Sequence, residues 1–106
     1  MPTRRRPLDR RTLRPRDYLV NPWQFGRTSD AAARTPAGGD DRSLAVAVVQ
    51  HRVACLIRDR DDRHAARSVT DEFGFSKQYW SLCLGGEAWM GETMLAAAVS
   101  LILDYR

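Results

Sequence analysis

The sequence predicts a small all-α bundle behind a flexible, arginine-rich N-terminal arm. Three observations carry this. From Leu44 onward, apolar residues recur at spacings of three and four, the period of an amphipathic helix. Between Ser68 and Cys83, two short apolar-periodic segments flank a single glycine, Gly74. Met94 to Leu103 is apolar on nearly every face, which suits a buried helix. A chain of 106 residues has room for one domain and a tail. The division expected is a disordered basic arm over 1–16, a docking segment and linker over 17–43, and a helical domain over 44–106.

The arm, MPTRRRPLDRRTLRPR, has almost nothing to bury and is expected to be disordered when free. Prolines at 2, 7 and 15 oppose an amphipathic helix there. Its seven arginines, Arg4, Arg5, Arg6, Arg10, Arg11, Arg14 and Arg16, stand against one acidic residue. Such an arm suits a phosphate backbone or a narrow minor groove, where the negative potential is enhanced. A merely solvated tail is the other reading.

Asp17 to Phe25, DYLVNPWQF, is too apolar for a free linker. Asn21-Pro22 breaks a helix and favours a turn. The segment is expected to dock, either over its own domain or as an extended arm across a dimer partner. Gly26 to Asp41 reads as a linker, with room for one helical turn at Asp30–Arg34. Asp40, Asp41 or Ser43 is placed to cap the helix that follows.

That helix is expected over Leu44 to about Asp59. Val46, Val49, Val53, Leu56 and Ile57 mark its apolar face, and Ala47, Val48 and Ala54 widen the stripe. The Ala-Val-Ala-Val alternation also permits a strand at Leu44–Val49. Asp59–Arg63 is a polar break. A second helix is expected from about Arg63 to Phe73. Arg63 and Arg67, one turn apart on its polar side, oppose the dipole at a helix start, so phosphate contact is one reason for them and solvation the other.

Val69 and Phe73 share a helix face. Gly74 falls where the chain must change direction, and glycine reaches positive φ without steric cost. Ser76 is an N-cap candidate for the next helix, Ser76–Leu84, and Gly85-Gly86 ends it. Helix, glycine turn and capped helix together are the sequence form of a helix-turn-helix. The order Val69, Thr70, Phe73, Gly74, Phe75, Ser76, Trp80, followed by Ser81 and Cys83, resembles the helix-turn-helix of phage-repressor-like (lambda repressor/Cro type) transcriptional regulators. Thr70 stands where alanine is usual, and Phe75 and Trp80 are bulkier than the usual valine or isoleucine. The resemblance covers Val69–Cys83 well and Leu44–Arg106 loosely. It implies a recognition helix whose base-edge candidates are Ser76, Lys77, Gln78 and Ser81, with Tyr79 on the DNA backbone or the neighbouring helix and Trp80 in the core.

Trp89 is expected to fill a gap between helices. The last helix is expected over Gly91–Arg106. So few elements cannot surround it, so cover is expected from a second copy across Leu95, Val99, Ile102 and Leu103, or from the Tyr18–Phe25 segment within the chain.

Charge adds a constraint. The net charge is +4, with +5 in residues 1–43 and −1 in residues 44–106. Affinity for phosphate therefore rests on the arm, while the helical domain is left to read sequence or shape. No apolar run approaches the roughly 20 residues that span a bilayer, and the N-terminus has no signal-peptide core. A cytoplasmic protein, nucleoid-associated when bound, is expected. Cys55 and Cys83 fall on apolar helix faces and read as buried thiols. With His51 and His64 they match no zinc spacing. No metal, cofactor or catalytic constellation is expected. The function expected is sequence-specific binding of double-stranded DNA by a homodimeric transcriptional regulator. The alternatives are a protein-interaction module of antitoxin or phage-accessory type, or a sequence-tolerant architectural DNA-binding protein.

Overall fold

The longest helix begins at a carboxylate. Asp40 Oδ1 accepts from the Ser43 backbone N–H at 2.7 Å, which satisfies one of the free donors of the first turn. That bond holds the Asp40 carboxyl below the usual carboxylate range. In the computed structural model, which describes residues 13–60 and 74–103 apart from the Arg60 side chain, this helix is α1, Asp41–Arg60. It continues through Leu44–Val49, so that run is helix and not strand. The other α-helices among the described residues are α2, Lys77–Leu84, and α3, Glu92–Leu103. The fold is a small all-α bundle. The helix expected over 63–73, with Arg63, Arg67, Val69, Thr70 and Phe73, lies outside the described residues, as do Arg4, Arg5, Arg6, Arg10 and Arg11 of the arm.

The docking segment packs on its own domain. Pro15–Tyr18 and Pro22–Gln24 form 3-10 turns, each opened by a proline whose fixed φ suits a first helical position. Leu19 and Phe25 bury fully against Ala54 of α1, with Ala31 and Leu84 at the margin. The expected helical turn at Asp30–Arg34 is absent. Instead that stretch runs antiparallel to the segment: the Val20 N–H donates to Ala32 O at 2.9 Å and the Arg34 N–H to Tyr18 O at 2.8 Å. Backbone groups that a helical turn would have paired internally are used to hold the segment closed.

The expected arm extends too far by four residues, Leu13–Arg16. Arg14 N–H donates to Asp17 Oδ2 at 2.8 Å, and the Arg14 guanidinium also meets that carboxylate. Arg16 N–H donates to Gly86 O at 3.1 Å, and its side chain pairs with Glu87 at 3.6 Å. Arg14 and Arg16 therefore belong to the folded domain. Leu13 is tied in as well, because its carbonyl accepts from Trp89 Nε1 at 3.0 Å. Trp89 packs on the docking segment rather than in the core between the α-helices, with its ring edge-on to Tyr18 at 5.8 Å between centroids.

The main core joins Val53 and Ile57 of α1, Trp80 and Cys83 of α2, Met90, and Met94, Ala97, Ala98 and Leu101 of α3. Trp80 is in the core, as its place in the pattern predicted. The face of α1 is turned from the one expected. Val53 and Ile57 are buried, but Val46 is 45% exposed and Val49 and Leu56 are 50% exposed. Ala47 and Ala54, expected to widen the stripe, are buried, and Gln50 and His51 are buried beside them. The reason is that α1 is covered from two sides. The 13–34 segment takes the face of His51 and Ala54, and α2 and α3 take the face of Gln50, Val53 and Ile57. The valine edge at Val46 and Val49 is left over.

α3 is likewise less enclosed than its composition predicts. Leu95 and Ile102 are half-buried against the core, while Val99 and Leu103 are exposed. The 13–34 segment covers α1 and not α3. No described helix is long and apolar enough to cross a membrane.

Candidate nucleic-acid interface

α2 opens at a turn that only glycine takes easily. Gly74 has φ +77°, with nothing within 4 Å of where a Cβ would stand. Backbone conformation rather than space selects glycine there. Two residues on, the Tyr79 backbone N–H donates to Ser76 Oγ at 3.0 Å, so Ser76 is the N-cap. The helix closes at Gly85, whose N–H donates to Ser81 O at 3.0 Å, and Gly86 then turns away at φ +78°. Start, cap and stop follow the sequence reading.

The two faces of α2 differ sharply. Trp80 and Cys83 point into the core, and burial raises the Cys83 thiol pKa. Ser76, Lys77, Gln78 and Ser81 are exposed. Lys77, Gln78 and Ser81 fall at relative positions one, two and five, which one helix face brings together. Among the described residues, the side chains of Lys77, Gln78 and Ser81 make no hydrogen bond or ion pair. The face thus offers an ammonium, a carboxamide and a hydroxyl, all donors and, for the last two, acceptors. An amide of this kind meets the N6/N7 edge of adenine bidentately, and an ammonium meets guanine or a phosphate.

Tyr79 does not join them. Its ring is half-buried and lies 6.0 Å from Phe75 between centroids, and its hydroxyl donates to Trp89 O at 3.1 Å. Burial raises its pKa. The phenol holds α2 against the loop before α3, so Tyr79 positions the helix. Arg14 and Arg16 are anchored to the domain through their backbone, and their side chains form surface ion pairs with Asp17 and Glu87.

Two residues that the apolar pattern passed over fasten to α1 what packs on it. Gln50 is 1% exposed and satisfies three backbone groups. Its Nε2 donates to Cys83 O at 2.9 Å and to Ala88 O at 3.0 Å, and its Oε1 accepts from Met90 N–H at 3.0 Å. One side chain therefore fastens α1 to the end of α2 and to the loop after it. His51, 2% exposed, does the same for the docking segment. Its Nδ1 accepts from Gly26 N–H at 2.9 Å, so the ring proton is on Nε2, which donates to Thr28 O at 2.9 Å. Burial lowers its pKa, which keeps the ring neutral. Arg58 adds a bond from Nε to Gly26 O at 2.9 Å. Nothing local in the sequence marks Gln50 and His51 as buried, because their backbone partners lie 23 to 40 residues away.

Cys55 and Cys83 are free and buried. Among the described residues, no group of three metal-ligating side chains converges. Comparison with protein-family models, with curated proteins and with solved structures returned no match.

Proposed function

We propose that the protein binds double-stranded DNA at a specific sequence, with α2 as the recognition helix, and regulates transcription from that site in the cytoplasm. The observation that carries this reading is the division of α2. One face and both ends are tied down by Trp80, Cys83, the Ser76 cap, Tyr79 and Gln50, while Lys77, Gln78 and Ser81 are held together and uncommitted. A rigid helix with a free polar face is what base-edge readout needs, because each hydrogen bond must be placed without further ordering. The Gly74 turn and Ser76 cap support the repressor-like helix-turn-helix, whose first helix would be supplied by 63–73 with Arg63 and Arg67 toward the backbone. The arm arginines before Leu13 would add affinity through phosphates. The protein would act as a homodimer on paired half-sites.

Selection of bound sequences from a random duplex library tests this. A palindromic motif with half-sites about one helical turn apart is the expected result. Combining Lys77→Ala with Gln78→Ala should abolish the preference while leaving the helical circular dichroism unchanged. If wild type and the double variant enrich the same sequences, or none, α2 is not the reader. Deleting residues 1–12 should weaken binding to all duplexes and flatten the salt dependence, by about 0.9 in log–log slope for each phosphate that the arm no longer neutralises.

A further inference from the structure

A groove of about 250 Å³ runs between the first half of α1 and the start of α3. Val46 and Val49 form one wall, Leu95 and Met90 the other, and Gln50 lies at the floor. Its lining is almost wholly apolar. Gln50 spends its polar atoms on Cys83, Ala88 and Met90, so even the floor offers little to water. The same chain carries an exposed apolar knob: Leu103, 72% exposed, on the last turn of the described part of α3.

We propose that the groove receives Leu103 of a second copy, in a two-fold dimer formed by antiparallel α3 helices crossing at Val99. The spacing is what selects this occupant. Leu95 and Leu103 are each four residues from Val99, about 6 Å on either side of it along the axis. A two-fold axis at Val99 therefore brings Leu103 of one copy beside Leu95 of the other. Knob meets groove twice in one isologous interface, as two-fold symmetry requires. Val99 is exposed and would pack on its own symmetry mate.

The charges agree. From Thr93 to Leu103 there is no ionisable side chain, so two such faces meet without a buried charge. Arg42 and Arg52, both exposed, lie on the α1 side of the groove, one turn before Val46 and about one turn after Val49. Positive charge there suits the C-terminal half of a docked α3, the negative end of its dipole. The interface adds α1 to a dimer surface that the sequence placed on α3 alone, and it stands on this surface whether or not α2 reads DNA.

Sedimentation of the full chain without DNA tests it. At about 100 µM, ample for an interface of ordinary size, the wild type should run as a dimer. Val49→Glu and Leu103→Lys should each yield monomer, with dissociation constants raised at least about tenfold by a charge placed in an apolar interface. Both positions are exposed in the monomer, and thermal melts by circular dichroism check that each variant folds. The double variant Val49→Glu/Leu103→Lys sets opposite charges at both knob–groove contacts and should restore the dimer. A wild type that stays monomeric overturns the proposal and passes the groove to a helix of another protein. A dimer that survives both single changes overturns it too, by placing the interface elsewhere. Neither result decides whether α2 reads DNA, which the comparison of wild type with Lys77→Ala/Gln78→Ala tests; a monomer bears only on the palindromic arrangement of half-sites.

Discussion

Replacing Gln50 with leucine should cost more than its conservative volume suggests. The wild-type side chain makes three hydrogen bonds at 2.9–3.0 Å while 1% exposed. Cys83 O retains the Gly86 N–H at 3.3 Å when Gln50 is replaced. Ala88 O and Met90 N–H lose the partner it supplied. Stranding two such groups costs about 1–3 kcal/mol each, and the better burial of leucine recovers part of that. A net loss of about 2–4 kcal/mol is expected, a large part of the ~5–15 kcal/mol typical of a whole domain. Urea unfolding followed by circular dichroism at pH 7 measures it directly, and the melting temperature should drop by roughly 10–20 °C. The Gln50→Glu variant sharpens the test. It keeps the acceptor for Met90 N–H but turns a carboxylate toward Cys83 O and Ala88 O. It should be less stable than the leucine variant at neutral pH and recover on acidification, when the protonated acid donates again. Loss of less than about 1 kcal/mol on leucine substitution would refute the reasoning, because the 88–90 loop would then be satisfying itself.

Further outcomes follow from the same contacts. His51 has its pKa lowered in the fold, so the unfolded chain binds more protons below about pH 6.5. Stability should be full above that value and fall on acidification, by up to about 1.4 kcal/mol per pH unit, until the folded-state pKa is passed. Comparing urea midpoints at pH 7.5 and 5.5 for wild type and His51→Gln isolates this slope from that of His64. Gly26→Ala and Gly74→Ala should differ although both glycines have positive φ, +73° and +77°. At Gly26 a Cβ would stand 2.6 Å from Leu84 O, whereas at Gly74 it meets nothing within 4 Å. The Gly74 change should cost only the left-handed strain, about 1–2 kcal/mol, and the Gly26 change clearly more. Equal losses in chemical denaturation would contradict the close approach of the docking segment to the end of α2.

The division between local and tertiary information is plain in α1 and α2. Sequence alone determined what depends on neighbours in the chain. The Gly74 turn, the Ser76 cap, the Gly85 stop and the exposed set Ser76, Lys77, Gln78 and Ser81 are all local, because caps and turns use backbone groups within a few residues. Trp80 was legible for the same reason, as it sits on the face opposite that set. That the docking segment would bury apolar side chains was legible from composition and holds for Tyr18, Leu19 and Phe25, but that Val20 and Trp23 stay exposed, and on which copy the segment docks, was not. The tertiary structure decided the rotation of α1. Hydrophobic periodicity assumes one apolar contact face, and here two separate surfaces press on the helix and leave a valine edge open. It also decided that Gln50 and His51 are inside. A polar side chain is buried only where partners await it, and those partners are backbone groups of Gly26, Thr28, Cys83, Ala88 and Met90, 23 to 40 residues away in the chain. No local pattern carries that information. It exists only once the loops have closed around α1.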